Sequence, residues 1–386
     1  MSEAHRPDVR RGFWAVAAMF ALNGVYFGTW ASRVPAVAVK YGLDPAALGL
    51  VLLAIGLGAI ASFPLAGRWS DQRGAAQVTL VLAAGHMVAL WAVALAPGVW
   101  TLAPALFFFG SMHGAMDVTM NAWAGEVERG MKRPIMPVFH AIWSLGAGLG
   151  AAVGWAAVKA GVDIPVHFIA VAVVAGLGAV AVARGAWVSQ THAHDGKAPV
   201  FAFPTGALLP VALVAMGASV GEGGMADWGA IFLVTATGAG EAASALGYAV
   251  YSVAMVTVRF LGSGLVALLG PVKVVRIAGL SAATGALLAV VFASYPVALV
   301  GFGLMGVGYA LVIPLAFSRA ANDPVVKPGR AIAAVATLGY GGMLLGPPVL
   351  GFVAHATSVR TAFGAIALLA VMISLLAGAL RPPAEG

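Results

Sequence analysis

The sequence contains no cysteine. Disulfides, thiolate nucleophiles and cysteine metal sites are therefore excluded. Charge is scarce as well: only 9% of the 386 residues are Asp, Glu, Lys or Arg, against about 25% in a soluble domain. A chain so poor in charge cannot cover a water-facing surface. No Gly-x-x-x-x-Gly-Lys-(Ser/Thr) loop occurs, so nothing here points to ATP drive. A soluble lobe is missing, and no nucleophile stands beside a base, which argues against a membrane-embedded enzyme.

What fills the chain instead is apolar. Hydrophobic residues make up 61%, with a mean hydropathy of +0.96. The bilayer is thus the solvent for most of the length. The 51 glycines fit this reading, because membrane helices use small residues to bring backbones together. The net charge of +7 comes from basic residues scattered between apolar runs rather than clustered in a patch. This is the pattern of inside loops under the positive-inside rule, not of a nucleic-acid surface.

A membrane-spanning helix needs about 20 apolar residues. Twelve runs qualify: 13–34, 46–66, 76–96, 100–123, 135–158, 163–184, 206–235, 243–268, 274–294, 296–318, 330–355 and 359–380. The expected fold is all-α, with the seventh span broken at its glycines. The first run is long enough to span and lacks a small-residue cleavage site after it, so it is expected to be retained rather than removed as a signal peptide. The longest internal polar stretch, 185–205, separates a six-helix bundle over 1–184 from a second over 206–386.

Lys and Arg set the expected orientation. With the N-terminus in the cytoplasm, the even-numbered gaps and both tails hold 17 of them, including Arg6, Lys132, Arg133, Lys197, Arg259 and Lys327. The opposite side holds 4: Arg33, Lys40, Lys159 and Arg360. Such a bias predicts an even number of crossings in a bacterial inner membrane, with both termini cytoplasmic.

The two halves echo one another. Ser144-Leu145-Gly146-Ala147-Gly148 recurs 193 residues later as Thr337-Leu338-Gly339-Tyr340-Gly341. Gly74, after the second span, matches Gly270, after the eighth, at an offset of 196. Repeats of this kind are expected to meet at a central substrate site.

The segment after the second span reads Gly67-Arg68-Trp69-Ser70-Asp71-Gln72-Arg73-Gly74. It resembles the signature loop of the major facilitator superfamily, Gly-x-x-x-Asp-(Arg/Lys)-x-Gly-(Arg/Lys)-(Arg/Lys). Gly67, Asp71 and Gly74 fit, Arg73 falls one place late, and Ala75 and Ala76 replace the final basic pair. The resemblance implies a twelve-helix transporter with alternating access. It also implies that Gly67, Asp71, Arg73 and Gly74 form a latch for one conformation, with Gly67 permitting close packing. The second-half copy, from Gly262 to Gly270, has no acid. The glycines Gly146, Gly148, Gly150 and Gly154 resemble the family's glycine-rich fifth helix, a feature of proton-driven exporters; small residues at a helix crossing account for them equally well. Met120-Asn121-Ala122, Arg133-Pro134-Ile135-Met136, Phe139-His140 and the run from Glu222 to Trp228 are similar to a bacterial branch grouped near fucose-permease-like proteins.

Charge in hydrocarbon is costly and must be used or paired. Three acids lie well inside predicted spans: Asp117, Glu222 and Asp227. His113, Asp117 and Asn121 fall at four-residue spacing on one helix face, which is expected to turn away from lipid. Asp117 is read either as a proton-coupling acid assisted by His113 or as a structural hydrogen-bonding group. Glu222, flanked by Gly221, Gly223 and Gly224, is read as a second proton carrier where the helix unwinds. Asp227, beside Trp228, is a candidate substrate contact or an ion-pair partner for Arg33. Asn23, Tyr26 and Trp30 form a stripe on the first helix suited to a sugar or planar solute, with core packing as the alternative. His140, Trp143 and Tyr340 complete the candidate substrate set; Asn322 is read as a loop residue. A zinc site can be drawn from His113, Asp117 and His140, but the reading adopted has no metal and no cofactor.

The function expected is secondary active transport of a small organic solute by symport. The proton is the coupling ion, and sodium on freed carbonyls of Gly221–Gly224 is the alternative. Proton-driven export of amphipathic compounds and a sensor or scaffold that moves nothing are the competing readings. The expected partners are the solute and the bilayer, with no nucleic acid, and the protein is expected to act as a monomer.

Overall fold

In hydrocarbon every backbone polar group must be satisfied within the segment, so long apolar runs fold as helices. The computed structural model describes residues 9–131, 135–189, 191, 203–326 and 328–381. Among these, every regular element is helical: α1 (Val9–Tyr41), α2 (Pro45–Arg73), α3 (Ala75–Leu95), α4 (Val99–Met131), α5 (Met136–Lys159), α6 (Ile164–Ala183), α7 (Leu208–Thr237), α8 (Glu241–Phe292), α9 (Tyr295–Tyr309), α10 (Val312–Ala321), α11 (Pro328–Ala356) and α12 (Val359–Leu376), followed by one 3-10 turn at Ala377–Leu380. Arg6, Lys132, Arg133, Pro134, Lys197 and Lys327, together with most of the expected central loop, lie outside the described residues.

Among the described residues, ten segments are long and apolar enough to cross a bilayer, Tyr295–Ala321 counting as one. Among them, α8 has 52 residues, about 78 Å of helix, more than twice what a bilayer core needs. It holds two spans, kinked at Gly270 with φ 75° and ψ 158°. With α4, whose 33 residues carry the polar stripe that lowers its hydropathy, the crossings number twelve, as expected. Exposed Val174, Leu177, Leu268, Leu368 and Leu375 would be a liability in water; they suit lipid.

Two expectations about local structure need correction. The seventh span is not broken, since α7 runs unbroken over Leu208–Thr237. The break falls in the tenth span instead, between α9 and α10 at Ala310 and Leu311. Nor is the signature segment a loop. Gly67, Asp71 and Arg73 lie within α2, and only Gly74 leaves the helix, with φ 87° and ψ 134°. Gly74 and Gly270 thus share a left-handed backbone at equivalent junctions, which a Cβ would strain. The sequence echo between them is a shared turn.

By packing, the chain divides into two units, Met1–Trp30 with Ala54–Gly196, and Ala31–Leu53 with Lys197–Gly386. In the first, α1 and α5 cross at small residues: a Cβ on Gly24 or Gly28 would collide with the carbonyl oxygens of Trp143 and Ala147. A Cβ on Gly146 or Gly150 would meet Ala21 and Val25 in the same way. These glycines therefore serve close backbone approach. Its core includes Phe20, Phe109, Trp123, Phe139 and Phe168, all fully buried. In the second unit, Phe232, Phe302 and Phe363 form the aromatic centre, with ring centroids 4.5–6.0 Å apart.

Candidate functional site

In the first unit, α4 presents the polar stripe anticipated from its periodicity. His113, Asp117 and Asn121 are each half-buried. Asn121 Nδ2 donates to the Asp117 backbone oxygen at 2.8 Å and to Asp117 Oδ1 at 3.1 Å. Asn121 Oδ1 lies 3.1 Å from His140 Nε2 of α5, so the carboxylate, the amide and the imidazole form one chain. One helical turn further along α4, Asn23 of α1 donates to the His113 carbonyl at 3.2 Å and accepts from Trp143 Nε1 at 2.8 Å. Five of the sequence candidates, Asn23, Asp117, Asn121, His140 and Trp143, are thereby joined with His113 across α1, α4 and α5. No three His, Asp or Glu side chains among the described residues are grouped to hold a metal, so the zinc site drawn from His113, Asp117 and His140 does not form.

The rest of the aromatic stripe belongs to the core. Tyr26 is fully buried and its hydroxyl donates to the Ala172 oxygen of α6 at 2.6 Å. Trp30 is buried against Phe109. Sequence reasoning missed His86 of α3, which is fully buried with its ring 5.0 Å from Tyr26 and 5.5 Å from His113. Neither His86 ring nitrogen has a hydrogen-bond partner among the described residues. A histidine in the middle of an otherwise apolar span was the available signal.

In the second unit, Glu222 of α7 faces Arg259 of α8, with Arg259 Nη2 3.7 Å from Glu222 Oε2. Arg259 Nε also donates to the Ala310 oxygen at 3.2 Å. That carbonyl lies at the break between α9 and α10, where the helical hydrogen-bond ladder is interrupted. Arg259 is therefore not a loop cation, and removing it leaves 16 basic residues on the expected inside against 4 outside. Its place within the predicted span 243–268 was the overlooked clue. Around the pair stand Tyr248, Tyr251 and Tyr309, which sequence reasoning also passed over.

Arg33, one candidate ion-pair partner for Asp227, lies 3.5 Å from Glu241 Oε1. Asp227 is half-buried beside Tyr248. Trp228 is fully buried, against Gly351. Tyr340 is 38% exposed on α11, and Asn322 caps the end of α10, as expected of a loop residue. The carbonyls of Gly221–Gly224 remain inside α7, so the unwound sodium site is not formed. Gly67 has open space where close packing was expected: a Cβ there would meet nothing among the described residues within 4 Å.

Twelve helical crossings and a repeated junction define a polytopic membrane protein, and the family and relatives it matches make it a transporter. The chain belongs to the Major Facilitator Superfamily, which matches residues 12–323. It is 46% identical over 368 residues to the transporter y4wD of Sinorhizobium fredii, covering 95% of this chain and 97% of that one. An MFS-type transporter of Yersinia pestis is 34% identical over 361 residues, 94% of each chain. The membrane protein MosC of Rhizobium meliloti is 29% identical over 373 residues, 95% of this chain and 90% of that one. Among solved structures, the nucleoside transporter NupG superposes with a TM-score of 0.70 at 15% identity, covering 97% of this chain and 99% of that one. A bacterial homologue of the human lysosomal transporter Spinster gives 0.73 at 14% identity, covering 98% and 97%. These two likenesses concern the fold.

Proposed function

We propose that the protein is a secondary active transporter that moves a small organic solute across the bacterial inner membrane by alternating access, coupled to protons, with both termini in the cytoplasm. The observation that carries this reading is an acid inside a span in each half, held by a polar partner. Asp117 accepts from Asn121 at 3.1 Å and Glu222 faces Arg259 at 3.7 Å. Intramembrane acids so enclosed are the usual carriers of protons in transporters. In this scheme Asp117 and Glu222 bind and release the proton, and His113 stands one turn from Asp117. Asn121, His140 and Trp143 contribute contacts to the solute, while Asn23 holds Trp143 in place.

The test is reconstitution into liposomes with an imposed pH gradient and an internal pH-sensitive dye. Wild-type protein is expected to carry protons only when its solute is supplied, and the sign of the dye response separates uptake from export. Asp117→Asn and Glu222→Gln are each expected to lose proton-driven flux while remaining folded. Full proton-driven flux in both variants would overturn the assignment, and a protein that moves no solute at all would be a sensor.

A further inference from the structure

Glu222 and Arg259 do not complete one another. Their contact of 3.7 Å is an ion pair rather than a hydrogen bond. Among the described residues, Glu222 Oε1 has no hydrogen-bond partner, and neither do the hydroxyls of Tyr251 and Tyr309. Both tyrosines are at most 1% exposed, and burying an unpartnered hydroxyl is unfavourable. Yet the pair is reachable: 24% of the Glu222 side chain and 12% of the Arg259 side chain remain accessible. A Cβ on the neighbouring Gly223 would meet nothing within 4 Å among the described residues.

The cluster is held from several sides. Gly221 lies under the Tyr309 ring, where any Cβ would collide. Tyr248 and Tyr251 are stacked on α8 with centroids 5.7 Å apart. The guanidinium is tethered through Nε to Ala310. Around Glu222 stand a guanidinium and phenol hydroxyls, each able to donate a hydrogen bond. Glu222 itself only accepts while ionised, and once protonated it too can donate.

We propose that Arg259, Tyr251 and Tyr309 bind the carboxylate of a small organic anion, and that the Glu222 carboxylate occupies that place when the anion is absent. The arriving carboxylate takes over the guanidinium, and Glu222 accepts one proton from solution as it is displaced. The exchange keeps the cluster's net charge unchanged, which a low-dielectric interior favours. A neutral solute would leave the ion pair intact, and a cation would be repelled by Arg259. This names the substrate class of the transporter proposed above and rests on that reading.

The groups that face Glu222 from other helices are Arg259, Tyr248 and Tyr251 on α8 and Tyr309 on α9. Asp227 lies further along α7, beside Tyr248. Charged groups on the other helices packed against α7 have different engagements: Arg319 of α10 with Asp323, Arg360 of α12 with Val290, and His355 of α11 with Asp44. Arg330 is exposed at the start of α11.

The experiment is thermal-shift titration of the full-length protein in detergent with acetate, lactate and benzoate, against propane-1,2-diol, benzyl alcohol and glucose, at pH 5.5 and pH 8. At least one carboxylate is expected to stabilise the wild type, more tightly at pH 5.5, while the neutral compounds do not. Glu222→Gln should keep carboxylate binding and lose its pH dependence. Tyr251→Phe and Tyr309→Phe keep the packed rings and should each weaken binding by about tenfold. Arg259→Gln should weaken it by about a hundredfold; should it fail to fold, the two phenylalanine variants carry the test. Stabilisation by neutral compounds alone, or carboxylate binding indifferent to both hydroxyls, would overturn the proposal while leaving proton-coupled transport standing. Carboxylates that bind as described but are never moved with protons would refute the transport scheme and leave the site.

Discussion

Trp143 on α5 donates its indole N–H to Asn23 Oδ1 on α1 at 2.8 Å, and the same Asn23 amide donates to the His113 carbonyl of α4 at 3.2 Å. One fully buried side chain thus ties three helices. Interhelical hydrogen bonds in membranes contribute about 0.6 kcal/mol on average, so Asn23→Ala should lower stability by about 1–2 kcal/mol once the small void is included. Trp143→Phe, which keeps an aromatic ring but drops the N–H, should cost less than Asn23→Ala. Denaturant titration in mixed micelles measures both. Equal stability in all three proteins would show that the amide ties nothing.

Two glycines on neighbouring helices make opposite predictions. A Cβ on Gly28 would collide with the Ala147 carbonyl, whereas a Cβ on Gly67 meets nothing among the described residues within 4 Å. Gly28→Ala must therefore push α1 and α5 apart and should cost 2 kcal/mol or more, on the order of an overpacked core. Gly67→Ala fills open space inside a helix and should be neutral or gain up to about 1 kcal/mol of helix propensity. Melting curves of the purified variants decide it. A Gly67→Ala variant as damaged as Gly28→Ala would mean that the signature glycine packs against something after all.

The twelve crossings were legible because span length and apolarity are properties of single segments. The polar face of α4 was legible for a related reason: four-residue spacing alone places His113, Asp117 and Asn121 together. Gly74 and Gly270 were matched correctly as a sequence echo, though the segment before Gly74 was expected to be a loop. The helix runs on through Arg73, and Gly74 with its positive φ ends it. Within the bilayer, unwinding would strand backbone groups, which keeps α7 intact through Gly221, Gly223 and Gly224. The glycines accommodate neighbours such as Tyr309 and Ile366 rather than unwinding the chain. Arg259 is hidden in the sequence because a basic residue near a span end reads as a loop residue. Its partners lie 37 residues before it, at Glu222, and 51 after, at Ala310, and no local pattern encodes pairings at that distance.

Arg259 and Glu222 should be coupled in stability as well as in ligand binding. Removing either partner leaves the other charge partly buried and uncompensated. Glu222→Gln and Arg259→Gln are each expected to destabilise, and the double variant should lose less than their sum. A coupling energy of about 0.5–3 kcal/mol is the range for contacting groups; the accessibility of Glu222 places it toward the lower end. A double-mutant cycle by denaturant titration without ligand gives the number. Additivity within about 0.5 kcal/mol would mean that solvent already screens the pair.

Asp323, just past the end of α10, gives a pH signature outside the membrane spans. Its Oδ2 lies 3.0 Å from Arg319 Nη1, and its Oδ1 accepts from the amides of Val325 and Val326 at 3.0 Å each. Partial burial pushes its carboxyl up, but the two amides and the Arg319 guanidinium outweigh this and hold it below the usual carboxylate range. A carboxyl held low in the folded state contributes stability above its unfolded value of about 3.9, and that contribution disappears as pH falls through the folded value. Asp323→Asn should therefore be less stable than wild type at pH 7, by about 1 kcal/mol for the lost charge-assisted bonds. The gap between the two proteins should narrow as pH drops below about 4. Paired melting curves from pH 7 down to the lowest pH at which both stay soluble provide the check. A gap that stays constant across that range would mean that the carboxylate charge plays no part in closing the turn between α10 and α11.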